Sequence, residues 1–249
     1  MTQIKTPAEI DAMREGGAML AEVLRLLAKE VKPGVSTAQL DRIARDKLTE
    51  LGAKPAFLGY YGFPAALCVS VNDEVVHGIP SSQRIIKNGD IVSYDFGVLH
   101  KGLITDAAMS VIAGTAKTVD AKLVDTTRRS LEAAIDVIKN GVRTGSIGAA
   151  VQKVLQASGF GIVRDYVGHG VGHKLHESPN IPNLGLSNQG PALVSGMTIA
   201  VEPMATSGDY HVYVDEDGWT VKTKDGSKSA HFEHTILITD NGAEVLTAV

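Results

Sequence analysis

Cysteine is almost missing from this sequence: Cys68 is the only one among 249 residues. A single cysteine cannot form an intrachain disulfide, and it cannot supply the ligand sets of zinc fingers or iron–sulfur clusters. We therefore expect a protein of a reducing compartment without such chemistry. Because Cys68 lies between Leu67 and Val69, the sequence favours a thiol packed in the interior over a nucleophile.

Long apolar runs and basic clusters are missing as well. No stretch reaches the roughly 18 consecutive apolar residues of a membrane-spanning helix, and residues 1–5 lack the apolar core of a signal peptide. The net charge is −4, and the lysines and arginines are scattered, which excludes the basic face of a nucleic-acid-binding protein. These absences predict a soluble, cytoplasmic protein with no membrane contact and no nucleic-acid specificity.

What the chain does contain is enough apolar material for a full core, since 44% of its residues are hydrophobic. A helix is predicted over residues 6–28, with Thr6 as N-cap and Pro7 at the first helical position. A second helix is predicted from Ser36 or Thr37 to residue 51, and Gly52 closes it. Further helices are predicted at 123–139 and 146–157, and strands at 67–71, 90–97 and 103–112.

The order helix, helix, strands occurs twice in the chain. Gly34 aligns with Gly141, and Gly89 aligns with Gly196, at the same offset of 107 residues (141 − 34 and 196 − 89). The constant offset predicts an internal duplication. We expect one catalytic domain built from two pseudo-symmetric halves, about 1–114 and 115–249, with a site at their junction that takes acidic residues from both.

Two aspartates stand on the strands predicted at 90–97 and 103–112. A hairpin centred between His100 and Lys101 places Asp95 directly opposite Asp106, where Cβ atoms lie about 4.5–5.5 Å apart. Like charges held that close among apolar residues need a cation or a shared proton. The alternative is a longer loop that leaves both aspartates in water.

Two glutamates and a histidine stand in similar strand-like surroundings: Glu202, Glu233 and the glycine-flanked His169. Carboxylates with one imidazole suit Mn, Fe, Co or Zn. Four carboxylates can hold two such ions about 3.5–4 Å apart, which bind and deprotonate a bridging water.

Residues 168–177 contain two further histidines. On a regular strand His173 shares a face with His169, whereas His176 falls on the opposite face unless a bulge intervenes. The glycines of this stretch also allow a plain turn with solvated histidines. Spacing alone favours His173 as the partner of His169.

As a set, these residues resemble type I methionine aminopeptidase in its short, bacterial form. The resemblance implies the α+β pita-bread fold, a curved antiparallel sheet flanked by two helix pairs with an internal pseudo-twofold. It also implies metal-dependent removal of the N-terminal methionine from nascent proteins and peptides with a small second residue, at the ribosome, by a monomer. The motifs that carry it are Asn72–Pro80, Asp95, Asp106, Gly168–Gly172, His176–Glu177, Glu202–Pro203 and Glu233–Thr235.

The resemblance also implies a role for each site residue. His176, rather than His173, would stabilise the scissile carbonyl, His77 would contact the scissile amide nitrogen or nearby substrate backbone, and Glu202 would also accept a proton from the water. Departures from the common bacterial pattern occur at Phe57, Tyr61 and Leu175. Two divalent ions would be held by Asp95, Asp106, His169, Glu202 and Glu233, with Asp106 and Glu233 bridging, and the methionine pocket would use Tyr60, Phe63, Cys68 and Trp219.

Two other functions fit the same fold. A proline-specific peptidase usually carries an additional N-terminal domain, for which 249 residues leave no room. A catalytically inactive binding protein typically loses metal ligands, whereas all five are present in this sequence.

Overall fold

A computed structural model describes residues 3–248 of the chain. Within these residues there are four α-helices, α1 (Pro7–Glu30), α2 (Thr37–Glu50), α3 (Thr118–Asp136) and α4 (Thr144–Ala157), and one 3₁₀ turn, Tyr60–Gly62. The strands in the first half of the chain are β1 (Lys54–Pro55), β2 (Leu67–Val71), β3 (Glu74–Val76), β4 (Ile91–His100) and β5 (Leu103–Ile112). Those in the second half are β6 (Gly161–Ile162), β7 (Gly168–Gly170), β8 (Glu177–Ile181), β9 (Thr198–Val201), β10 (Met204–Thr206), β11 (Val212–Val214), β12 (Val221–Thr223), β13 (Ser229–His231), β14 (His234–Ile238) and β15 (Ala243–Val245).

The first helix begins where its capping residues indicate. The Thr6 hydroxyl accepts a hydrogen bond from the Glu9 backbone N–H at 3.3 Å, and the Glu9 carboxylate accepts one from the Thr6 backbone N–H at 2.7 Å. This reciprocal capping box satisfies two of the donors that a helix start leaves free. The prediction for α3 is less accurate: the helix begins at Thr118, five residues before the predicted 123, because its first turn exposes Val119 and gives no apolar periodicity.

Every strand pair in the described chain is antiparallel, and helices cover the sheets in two pairs. One hydrophobic core joins α1 and α2 to β2, β4 and β5, and a second joins α3 and α4 to β9 and β14. The predicted α+β class is therefore confirmed. At the offset of 107, α2 maps residue for residue onto α4, and the start of β4 maps onto the start of β9. Of the predicted halves, residues 1–2 and 249 lie outside the described range.

The register of the β4–β5 hairpin differs from the prediction. The turn consists of Lys101 and Gly102, both with left-handed backbone (φ of 49° and 82°), so the hairpin is centred between these two residues. Asp95 consequently pairs with Ala108, and Asp106 pairs with Gly97. The expected direct opposition of Asp95 and Asp106 is wrong. The two aspartates are instead diagonal neighbours on one face, since Asp106 lies two residues from Ala108, the partner of Asp95. The register differs because Lys101 adopts a positive φ in the two-residue turn.

The two halves meet where β5 passes β14. Thr235 ties them together: its hydroxyl accepts a hydrogen bond from the Asp106 backbone N–H and donates one to the Asp106 carbonyl oxygen, both at 2.8 Å. Ala108 and Glu233 form an adjacent backbone bridge. The junction therefore lies beside acidic residues from both halves.

None of the helices within residues 3–248 is both long and apolar enough to cross a bilayer.

We expect Gly168→Ala to destabilise the protein by about 1–3 kcal/mol, the usual range for overpacking. A Cβ at this position would lie 2.3 Å from the Ala200 carbonyl oxygen, and backbone atoms of a paired strand cannot yield cheaply. Urea unfolding of both proteins measures the difference.

Gly242→Ala is the matched control for this substitution. No atom lies within 4 Å of its added methyl group, so its stability is expected to equal or slightly exceed that of the parent protein. Equal midpoints for the two variants would contradict the close approach at Gly168.

Candidate metal centre and active site

Five side chains converge at the junction of the halves. Asp95 and Asp106 come from the hairpin β4–β5, and His169 comes from β7, which pairs with β9 at Ala200. Glu202 and Glu233 stand one step beyond the last β9–β14 pair, Val201 with His234, so the same register places them opposite each other. The structure thus brings together all five side chains of the predicted ligand set.

Burial of this many acids raises the pKa of each one. The pKa of Asp106 rises to about 7 because the side chain is removed from water. Burial raises the pKa of Asp95, Glu202 and Glu233 well above the ordinary range, and repulsion from neighbouring carboxylates adds to it. Four carboxylates in one dry site are unfavourable unless positive charge compensates them.

The unpartnered ligand atoms of the cluster fit a divalent cation. Three carboxylate oxygens of the cluster lack a hydrogen-bond partner among residues 3–248: Asp95 Oδ1, Asp106 Oδ1 and Glu233 Oε1. Asp106, His169 and Glu233 each present a ligand atom, and these atoms lie within 4.8 Å of one another. Burial lowers the pKa of His169 to about 4, which keeps the imidazole neutral and able to bind a metal. Hard oxygen donors with one imidazole are the ligand set expected of a first-row divalent ion.

The side chains of the three histidines in residues 168–177 do not all lie at the acidic cluster. The His176 ring lies 4.4 Å from the His169 ring, while His173 points away and contacts the Glu9 carboxylate at 2.7 Å. Strand β7 ends at Gly170 after a register shift, so the two-residue periodicity of a regular strand does not continue to the later histidines. Spacing favoured His173 because it assumed a regular strand throughout; the structure places the His176 ring, and not that of His173, beside His169.

An apolar pocket of about 170 Å³ leads to the acidic cluster. Phe63 and Trp219 meet edge to face at 5.1 Å on its wall. Cys68 is buried, and removal from water raises the pKa of its thiol well above the usual value, so it packs as a neutral side chain, as the sequence predicts. The pocket is lined by Phe57, Tyr60, Tyr61, Phe63, Cys68, Val76, His77, Leu175, His176 and Trp219, together with the acids and His169.

His77 stands at the inner side of this pocket in a left-handed backbone conformation (φ of 61°). Its ring packs edge to face on Tyr166, with centroids 5.6 Å apart. Burial lowers its pKa to about 4, so the imidazole is neutral at physiological pH.

Sequence reasoning missed His231. The side chain is 1% exposed, its Nε2 lies 3.8 Å from Glu202 Oε2, and that nitrogen has no hydrogen-bond partner within residues 3–248. Burial lowers its pKa to about 3, so it is neutral. His231 stands two residues before Glu233, and strand alternation could have placed both on one face.

Comparison with known proteins places the chain in a family of enzymes. Residues 11–240 match the sequence pattern of Metallopeptidase family M24, and the chain belongs to this family. It is 46% identical to methionine aminopeptidase from Clostridium perfringens over 249 residues, all of both chains. The crystal structure of methionine aminopeptidase from Thermotoga maritima superposes with a TM-score of 0.98, at 48% identity and with both chains fully covered.

A more distant neighbour shares the fold alone. Prolidase from Pyrococcus furiosus is 22% identical and superposes with a TM-score of 0.80, but the match covers 99% of this chain and only 65% of the prolidase. The prolidase therefore contains a substantial part that has no counterpart in this match.

We expect divalent metal to stabilise the protein. After treatment with a chelator, addition of manganese at a hundred times its Kd should increase the free energy of unfolding by about 2.7 kcal/mol, because metal binds the folded cluster and not the unfolded chain. Thermal unfolding followed by circular dichroism measures the rise in Tm.

Asp106→Asn should largely remove that rise, whereas Glu216→Gln should retain it, since Glu216 is an exposed acid in the β11–β12 turn. An unchanged response in the Asp106 variant would show that metal binds elsewhere.

Proposed function

We infer that this chain is a metal-dependent aminopeptidase that hydrolyses the bond after an N-terminal methionine when the second residue is small. The observation that carries this function is the apolar pocket that ends at a cluster of four carboxylates and His169, of which only Glu202 is partly exposed. Such a pocket admits one side chain and brings the adjoining peptide bond against the acidic cluster. Membership of a metallopeptidase family supports the same reaction class.

In this proposal Asp95, Asp106, His169, Glu202 and Glu233 would hold two divalent ions. The unpartnered oxygens on three of these acids support the assignment. When bound, the ions polarise the scissile carbonyl and lower the pKa of water. Carboxylate-rich ligand sets discriminate poorly among Co, Mn, Fe and Zn, so availability selects the metal.

Three side chains handle protons and the substrate backbone. Glu202 accepts the proton of the attacking water, as a carboxylate beside the reacting atoms can. His176 donates a hydrogen bond to the scissile carbonyl oxygen as negative charge develops on it. His77 contacts the scissile amide nitrogen or nearby substrate backbone, and its place on the pocket wall supports this.

The pocket selects methionine by shape and polarisability. Tyr60, Phe63, Cys68 and Trp219 present aromatic faces and a neutral thiol, which suit a thioether. Phe57, Tyr61 and Leu175 line the same pocket and set its width in this chain. The substrates are peptides and nascent chains with N-terminal methionine, met at the ribosome in the cytoplasm by a monomeric enzyme.

The decisive experiment measures free methionine released from Met-Ala-Ser by purified protein. We expect activity to disappear after EDTA and to return with Mn, Co, Fe or Zn, and we expect no cleavage of Ala-Pro, because the pocket accepts a long apolar first side chain. Metal-loaded, folded protein that leaves Met-Ala-Ser intact would refute the function. Preferential cleavage of Ala-Pro would move the chain to the proline-specific class.

Two variants separate the proposed roles. Glu202→Gln should abolish turnover while circular dichroism shows a folded chain, because the amide accepts no proton at neutral pH. His176→Ala should lower kcat far more than it raises KM, since its hydrogen bond strengthens in the transition state. A pure KM effect in the His176 variant would argue against stabilisation of the carbonyl oxygen.

A further inference from the structure

The orientation of His176 is not fixed by its own segment. Two neighbours anchor the backbone: Leu175 is 3% exposed, and the Glu177 carboxylate accepts a hydrogen bond from the Lys174 backbone N–H at 2.9 Å. Neither contact reaches the imidazole, which remains accessible from the pocket mouth. An imidazole that donates to a developing oxyanion needs a defined ring orientation and a proton on the correct nitrogen.

Tyr60 supplies the missing constraint from the other half of the chain. Its hydroxyl oxygen lies 3.0 Å from His176 Nδ1, and the two rings meet edge to face with centroids 5.4 Å apart. On the other side, the His169 ring stands nearly perpendicular to His176 at 86°. Within residues 3–248 the Tyr60 hydroxyl is the hydrogen-bond partner recorded for the His176 ring.

The chemistry of the pair favours one direction for this hydrogen bond. A phenol is a better donor than acceptor, and an imidazole nitrogen without a proton is a good acceptor. Burial raises the pKa of Tyr60, which keeps its hydroxyl protonated. The Tyr60 hydroxyl therefore donates to Nδ1, and a neutral imidazole then carries its single proton on Nε2.

We propose that Tyr60 is a positioning residue that holds His176 as the Nε2–H tautomer, with that N–H directed at the substrate carbonyl oxygen. The proposal rests on the function inferred above, and it gives the Tyr60 hydroxyl a task distinct from the apolar wall that its ring provides. The opposite tautomer would turn a lone pair toward the developing negative charge and repel it.

Tyr60→Phe tests the idea because it removes one oxygen and keeps the ring on the pocket wall. We expect kcat for Met-Ala-Ser to fall about 10- to 100-fold, the usual cost of losing an orienting partner, with KM little changed. Tyr213→Phe is the matched control and should behave as the parent protein, because that tyrosine lies on β11 and is 43% exposed.

A double-mutant cycle shows whether Tyr60 acts through His176. Tyr60→Phe combined with His176→Ala should have the kcat of His176→Ala alone, since the hydroxyl has nothing left to orient. Losses that multiply would mean that Tyr60 acts independently of His176, and they would overturn the proposal.

Long-range ¹⁵N NMR of the zinc-loaded protein reads the tautomer without any turnover. At a pH where the imidazole is neutral, the parent protein and Tyr213→Phe should show His176 protonated at Nε2, and Tyr60→Phe should show a mixture of tautomers. A parent protein protonated at Nδ1, or a tautomer unchanged in Tyr60→Phe, would overturn the proposal. Because this signal needs no activity, it separates failure of the tautomer assignment from failure of the proposed function.

Discussion

Repulsion among buried carboxylates is the constraint on which this structure depends. Asp95, Asp106, Glu202 and Glu233 are gathered where water cannot screen them, and three of their oxygens have no hydrogen-bond partner in the described part of the chain. Flexible loops would relieve such repulsion by turning the acids outward. Here Asp95 and Asp106 lie on the paired strands β4 and β5, and Glu202 and Glu233 adjoin the paired ends of β9 and β14, so the backbone holds all four acids in place. A bound divalent ion would relieve the repulsion that remains, and this relief favours its binding.

The internal pseudosymmetry explains why both halves contribute acids to the cluster. Each half has its own hydrophobic core and contributes one helix pair. Asp95 and Glu202 occupy equivalent positions at the offset of 107 residues (202 − 95), so each half brings an acid to the junction in the same way. The hydrogen bonds of Thr235 with the Asp106 backbone, the Ala108–Glu233 bridge and the hydrogen bonds of Ser110 with the His231 backbone join the halves beside the cluster. The centre belongs to neither half alone.

Much of the fold could be predicted from local chemistry, because caps and glycines act within a few residues. The capping box of Thr6 and the closing Gly52 located α1 and α2 to within two residues. The hairpin register could not be obtained this way, since it depended on Lys101 accepting a left-handed conformation. His176 required a resemblance to known enzymes, because the strand that contains His169 ends before the pattern reaches it. His231 stands two residues before Glu233, but this spacing alone does not single it out as part of the site, and only the structure showed it beside Glu202.

The bond between Asp106 and Thr235 has a further consequence for the order in which the molecule assembles. Its partners are 129 residues apart in sequence. Contacts of such long range are costly in loop entropy and form late in folding. The helix pairs can dock on their own strands earlier, whereas the acidic cluster closes only when the halves meet. Metal capture thus becomes a marker of the final step of folding, and a chain that has not completed that step has no centre with which to cleave peptides.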